Sequence, residues 1–180
     1  MVALWNTTPR GRDPPRELYI VIETPRGSRN KYEVAKHFPG VLLDRFLSGS
    51  LAYPADYGLV PQSWGEDGDP LDAMVVGSAP TFPGCIVRAR PVGMLDMVDQ
   101  GEPDQKILCV LVGDPYFAHV KTWEDLGEAF LNEAADFFRT YKRLEAGEHA
   151  VEVRGWRSLE EAQTVLEASF RRYHEEFETQ

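Results

Sequence analysis

The stretch Asp67-Gly68-Asp69-Pro70-Leu71-Asp72-Ala73-Met74-Val75-Val76 decides how the chain is read. Its first half is a turn, with Gly and Pro spaced among aspartates. Its second half, Ala73 to Val76, is a short apolar run closed by Gly77-Ser78, which reads as a buried strand. Similar short runs flank it. Leu18 to Ile22 is a strand ending at Thr24-Pro25, and Arg26 to Asn30 is a turn. Lys31 to Lys36 alternates, and Val41 to Asp44 is brief. Leu51 to Tyr57 and Leu59 to Pro61 are interrupted by proline and glycine. Cys85 to Val92 alternates again, and Lys106 to Val112 is apolar and β-branched. Many short strands at close spacing predict a barrel or sandwich.

The last third changes period. After a capping-box-like Thr122…Asp125, the residues Leu126, Phe130, Ala134, Phe137 and Tyr141 mark one helical face. His149 to Arg154 returns to strand alternation. A capping box at Ser158 and Glu161 then opens a second helix, with Ala162, Leu166, Phe170, Tyr173 and Phe177 on one face. Residues 1 to 16 carry Pro and Arg and read as an extended arm. The prediction is a single α+β domain over 1–180, a small β-barrel with two C-terminal amphipathic helices packed outside.

The totals bound the function. The chain has 180 residues, 43% hydrophobic and 27% charged, which suits one globular domain. The apolar runs are too short to span a bilayer, so no membrane partner is expected. The N-terminus lacks the apolar segment of a signal peptide, and the cytoplasm is the default compartment. The net charge of −10 argues against nucleic acid as a partner. The 2 cysteines, Cys85 and Cys109, lie in strand-like stretches and are expected as small buried hydrophobes. The 4 histidines, His37, His119, His149 and His174, lack zinc-ligand spacing and are expected on the surface or in packing. Nucleotide-binding, nucleophile-elbow and zinc-protease motifs are absent.

The aspartates of the opening stretch remain. Like charges that converge repel, and burying them is costly unless a cation neutralises them. Asp67, Asp69 and Asp72, held around Gly68 and Pro70, are therefore candidate oxygen ligands for a hard cation such as Mg²⁺. An exposed acidic turn explains the same residues equally well. An EF-hand does not fit, since its third ligand would be Leu71 and its twelfth position is Ser78. A second acidic group, Asp99, Glu102 and Asp104, ends at Lys106; Asp104 and Lys106 are two apart and share a face, as do Lys31 and Glu33. Arg45, Tyr53 and Tyr57 lie in the proline-containing middle, and Tyr141 and Lys142 end the first helix. Acids hold metals, while cations and phenols hold an oxyanion. The set suits a phosphate polyanion bound as its metal complex.

These residues are similar to those of the soluble inorganic pyrophosphatases built on a five-stranded barrel. That family's signature runs Asp, small, Asp, Pro or Glu, apolar, Asp, small or apolar, and Asp67 to Ala73 meets each place. The resemblance extends from about Val21 to about Trp156. It takes in Glu23, Lys31 and Glu33, Asp44-Arg45, Tyr53-Pro54, Tyr57-Gly58, Asp99, Asp104, Lys106 and Tyr141-Lys142. Asp114 to Val120 and the arm before Leu18 match poorly.

The resemblance implies an OB-like closed barrel of five strands and hydrolysis of pyrophosphate by a metal-activated water, without a phosphoenzyme. It implies Asp69 as general base or water-orienting group. Asp67, Asp72 and Asp104 would hold the main metal, with Asp72 bridging to a second. Asp99 would serve a metal arriving with substrate, and Glu23 and Glu33 would complete the acidic lining. Substrate would be bound by Lys31, Glu33, Arg45, Tyr53, Tyr57, Lys106, Tyr141 and Lys142. Several Mg²⁺ ions are implied, with Mn²⁺ or Zn²⁺ as substitutes, and a homohexamer. A nucleotide or phosphate-ester hydrolase would use the same carboxylates but needs a groove for base or sugar. A barrel module for single-stranded nucleic acid needs a basic groove, and a calcium-binding structural domain lacks EF-hand spacing.

Overall fold

The computed structural model describes residues 3–145 and 150–178. In chain order its elements are α1 (Leu4–Thr7), β1 (Leu18–Thr24), β2 (Asn30–Val34), β3 (Val41–Phe46), β4 (Asp56–Leu59), β5 (Asp72–Val76) and β6 (Ile86–Asp99). Then follow β7 (Glu102–Pro103), β8 (Lys106–Leu111), α2 (Glu128–Thr140), β9 (Val151–Arg157) and α3 (Leu159–Phe177). Five strands pair in a ring: β1 with β4, β4 with β5, β5 with β8, β8 with β6, and β6 back to β1. Every contact in the ring is antiparallel except β5–β8, which is parallel. β7 and β9 extend the sheet from β6, and β2 and β3 form a separate hairpin. The expected α+β fold with a five-stranded barrel is met by this ring of five strands, with the two C-terminal helices packed against it.

Strands in the ring are covered on both faces, which is why their sequences are near-continuously apolar. Ala73, Val75, Ile107 and Cys109 pack with Ala162, Leu166 and Phe170 of α3. Met74, Val76, Leu108 and Val110 pack with Leu131, Ala134, Phe137 and Phe138 of α2. Each helix closes one face of the same strands. At about 25 cal/mol per Å² of buried apolar area, this double cover is the main stabilising contribution. Gly58 permits the close crossing of β4 and β1, because a Cβ there would stand 2.0 Å from the Val21 carbonyl oxygen.

Several local expectations are corrected. The N-terminal arm is not extended throughout: Leu4–Thr7 makes a helical turn, and Trp5 is buried among Trp64, Tyr173 and Phe177. The prolines beyond it concealed that turn. β6 runs to Asp99 instead of stopping at Val92, because a bulge between Pro91 and Gly93 absorbs both strand-breaking residues. The first C-terminal helix begins at Glu128; Gly127, at φ 83°, separates it from a 3-10 turn at Trp123–Leu126. Asp125 still caps that turn, accepting from the Thr122 N–H at 3.1 Å. Cys109 is buried as expected, whereas Cys85 is half-buried just before β6. His37, His119 and His174 are exposed, and His149 lies outside the described residues. The Ser158–Glu161 box caps α3 in both directions, at 2.9 and 3.2 Å.

Candidate active site

One cavity of about 600 Å³ opens where the ring, the β2–β3 hairpin and the end of α2 meet. Its acids are Glu23, Glu33, Asp67, Asp69, Asp72, Asp99, Glu102 and Asp104, and its cations are Lys31, Lys36, Lys106 and Lys142. The chain brings them from distant places. Glu23 is near the end of β1, Lys31 and Glu33 stand two apart on β2, and Asp99 ends β6. Asp72 and Lys106 begin the parallel strands β5 and β8 and are partners in register. That pairing joins the two acidic segments that lie apart in sequence.

Lys106 is the centre of the arrangement. It is 3% exposed, and its ammonium lies 2.5 Å from both Asp72 Oδ2 and Asp104 Oδ1. The rings of Tyr57 and Phe138 stand 5.7 and 5.8 Å away. Burial opposes its charge, but Asp72 and Asp104 overrule burial and hold the proton above the usual lysine range. Lys31 faces Glu33 and, at 3.4 Å, Asp44. Lys142 pairs with Asp99, and Lys36 with Asp69.

The acids crowd one another. Burial first, then Asp72 and Glu33 against the Val34 N–H, pushes the Glu23 carboxyl to about 8. Its Oε1 accepts that N–H at 2.7 Å. Asp67 is raised by burial and by Asp72, Asp104 and Asp69, and Asp104 by burial and by Asp72 and Asp99. Burial also raises Tyr53, Tyr57 and Tyr141, so these phenols stay protonated donors at neutral pH. The Asp67–Asp72 loop is tight: Asp67 Oδ1 accepts from the Asp69 N–H at 3.2 Å, and Gly68 at φ 79° makes the bend.

Among the described residues, no three acidic, histidine or cysteine side chains already converge on one cation position. Lys106 instead stands between Asp72 and Asp104. The donor chemistry nonetheless fits a hard divalent ion. All donors are carboxylate oxygens, burial and neighbouring acids raise the proton affinity of Glu23, Asp67 and Asp104, and the buried Asp99 Oδ1 has no hydrogen-bond partner. Asp69 Oδ1 also lacks a well-aligned hydrogen bond, but it lies against the Lys36 ammonium and is not orphaned.

The sequence-derived residues Glu23, Lys31, Glu33, Tyr53, Tyr57, Asp67, Asp69, Asp72, Asp99, Asp104, Lys106, Tyr141 and Lys142 all line this cavity. Arg45 does not. It is Lys31's partner in register, and its guanidinium bonds Glu145 at 2.9 Å and Asp44 at 2.8 Å. Sequence reasoning left Trp5, Lys36, Trp64 and Gln100 out of the lining, and placed Glu102 in an acidic group without a role. Lys36 closes the stretch that reads as alternating, but the strand itself ends at Val34, so periodicity could not place its side chain.

Comparison with known proteins gives a uniform result. The family model for inorganic pyrophosphatase matches residues 20–174. An inorganic pyrophosphatase of Picrophilus torridus is 45% identical over 96% of this chain and 96% of its own. One of Haloferax volcanii is 44% identical, over 98% and 99%. The solved structure of the Thermus thermophilus inorganic pyrophosphatase superposes with a TM-score of 0.90 at 40% identity, covering 94% of this chain and 98% of that one. The Helicobacter pylori enzyme gives 0.88 at 37%, covering 93% and 99%.

Proposed function

The chain belongs to the inorganic pyrophosphatase family, metal-dependent enzymes that hydrolyse pyrophosphate to two phosphates, and from that premise we propose that the cavity is the active site and Mg²⁺ its ion. The observation that carries the proposal is the charge of the lining: eight carboxyls against four ammoniums in one cavity. Such a wall calls for cations beside it, and a polyanionic substrate gains most by binding together with metal.

Asp67, Asp72 and Asp104 would hold the principal ion, with Asp72 shared with a second. Asp99, with its unpartnered oxygen, would serve an ion arriving with substrate, and Glu23 and Glu33 complete the acidic wall. When bound, such ions supply charge neutralisation and a water of lowered pKa. Asp69, at the mouth of the acidic wall, accepts the proton of the attacking water. The water oxygen bonds to one phosphorus as the bridging P–O bond breaks, and the departing phosphate takes that electron pair. Lys31, Lys106, Lys142 and the protonated phenols of Tyr53, Tyr57 and Tyr141 donate to phosphate oxygens. Arg45 reaches them from the rim beside Lys31, once substrate competes with Glu145. No protein nucleophile is needed.

Mn²⁺ and Zn²⁺ are oxygen-tolerant substitutes. Self-association of single-domain chains is supported by the exposed Phe38, Leu42, Phe46, Phe82 and Tyr116, apolar surface that association would cover, and the family resemblance implies six chains. Two unbridged thiols, Cys85 and Cys109, suit the reducing cytoplasm. No helix among the described residues is long and apolar enough to cross a membrane. The test is phosphate release from pyrophosphate with and without Mg²⁺, by the wild type and by Asp72→Asn. Mg²⁺-dependent release that collapses in the variant supports the reading; absence of release from folded wild type under any divalent ion overturns it. Light scattering at six chain masses would support the hexamer.

A further inference from the structure

We infer that Lys36, at the hairpin side of the cavity mouth, is a further substrate-positioning residue that holds Asp69 with one N–H and offers the others to the phosphate under attack. The inference rests on the pyrophosphatase reading above and assigns a contact beyond it. Three observations carry it. First, the Lys36 ammonium is inside the cavity lining, against Asp69, although its side chain is 59% exposed. A solvated lysine on a strand-end turn would point into water. Second, its root is fixed. The buried Trp5 donates its Nε1–H to the Lys36 carbonyl at 3.2 Å, and the Ala35 N–H donates to the Gly40 carbonyl at 2.9 Å. Trp5 is itself held by Trp64 at 5.7 Å and Phe177 at 5.4 Å between ring centres. The N-terminal turn is thus part of the wall of the site.

Third, the cations differ in what they have left to give. Lys106 and Lys31 each bridge two carboxylates, and Lys142 has Asp99. Lys36 has Asp69 alone as its carboxylate partner among the described residues. An ammonium has three donors and no acceptor, so two N–H groups remain for oxygens entering the open cavity. An oxyanion bonded by a charged donor is held more strongly than by a neutral one. Because the same ammonium touches Asp69, a phosphate bound to it sits beside the group assigned to take the water's proton. Lys36 therefore couples binding of the substrate to the placing of Asp69.

The test compares wild type with Lys36→Met, Lys36→Arg and Trp5→Phe. It measures KM and kcat for pyrophosphate with saturating Mg²⁺, and calorimetric Kd for methylenebisphosphonate, which is not hydrolysed. Lys36→Met is expected to raise KM and the analogue's Kd about tenfold, a charged hydrogen bond's worth, with a smaller fall in kcat. Lys36→Arg should return both to within about threefold. Trp5→Phe, which keeps a ring but removes the N–H, should raise KM about two- to threefold. If Lys36→Met leaves KM and Kd within twofold of wild type, the ammonium is a solvated surface charge and the inference is wrong. Equal losses in the Met and Arg variants would also overturn it, since shape and not charge would be responsible. Wild type that neither hydrolyses pyrophosphate nor binds the analogue would instead remove the function reading, and the inference with it.

Discussion

Replacing Lys106 by Met should expose how the site is balanced without its ions. The ammonium is 3% exposed and lies 2.5 Å from Asp72 Oδ2 and from Asp104 Oδ1. Met keeps most of the stem's volume beside Tyr57 and Phe138, so the packing loss is small. What is lost is the charge between two carboxylates that are themselves mostly covered, at 28% and 16% exposure. Breaking a buried pair by removing one partner costs about 3–5 kcal/mol, and the access of water to Asp72 reduces that to about 2–4 kcal/mol. For a domain of this size the loss corresponds to a fall of roughly 5–15 °C in Tm in the presence of EDTA. Mg²⁺ should recover a large part of it. The variant's site is more negative by one charge, so it gains more from a cation than the wild type does. Differential scanning fluorimetry of both proteins, with EDTA and with a Mg²⁺ series, reads this directly. A variant whose Tm in EDTA equals that of wild type would refute the balance, and so would a Mg²⁺ shift no larger than the wild type's.

Asp69→Asn should keep the fold and the wild-type Tm but lower kcat by roughly 10²–10⁴-fold; an unchanged kcat would remove Asp69 from proton transfer. Gly58→Ala should destabilise by at least about 2–3 kcal/mol, because its Cβ meets the Val21 carbonyl oxygen at 2.0 Å; a Tm within 2 °C of wild type would mean that β1 and β4 part easily. Ser158→Ala should cost about 1 kcal/mol by uncapping α3 without altering KM, as read by urea denaturation and steady-state kinetics; unchanged stability would show that the cap contributes nothing.

The strands of the ring were legible because both of their faces are buried. Ile107, Leu108, Cys109 and Val110 form an unbroken apolar run that periodicity locates without knowledge of partners. The far half of β6 was not legible, since Pro91 and Gly93 are strand breakers in sequence and tolerated in space only through the bulge. The N-terminal turn was hidden for a similar reason. Four helical residues carry no period, and what stabilises them is the aromatic set Trp64, Tyr173 and Phe177, remote in sequence from Trp5. Within the site, Asp67 to Asp72 announced itself by charge density, which needs no fold to be seen. Its junction with Asp104 and Lys106 needed the parallel register of β5 and β8, and only the resemblance joined them in advance. Lys36 required both the hairpin's position and the Trp5 contact, and no local pattern encodes either.

The pairing of every cavity lysine with an acid has a consequence for how the site fills. Lys36 holds Asp69 and Lys142 holds Asp99, while Lys31 holds Glu33 and Asp44 and Lys106 holds Asp72 and Asp104. A bare polyanion reaching Lys31 or Lys106 would have to take ammoniums from carboxylates and leave those carboxylates uncompensated. Divalent ions alone would leave the ammoniums facing positive charge. Neither partner gains the full energy of its contacts without the other, because each frees the groups that the other requires. On the proposed reading, metal and pyrophosphate therefore bind with positive coupling, and by linkage the coupling is the same whichever enters first. The sign of that coupling follows from the ion pairs of the substrate-free cavity. Calorimetry of methylenebisphosphonate at rising Mg²⁺ should show its affinity increasing until the carboxylates are occupied. An affinity independent of Mg²⁺ would mean that the lysines receive phosphate without releasing their acids.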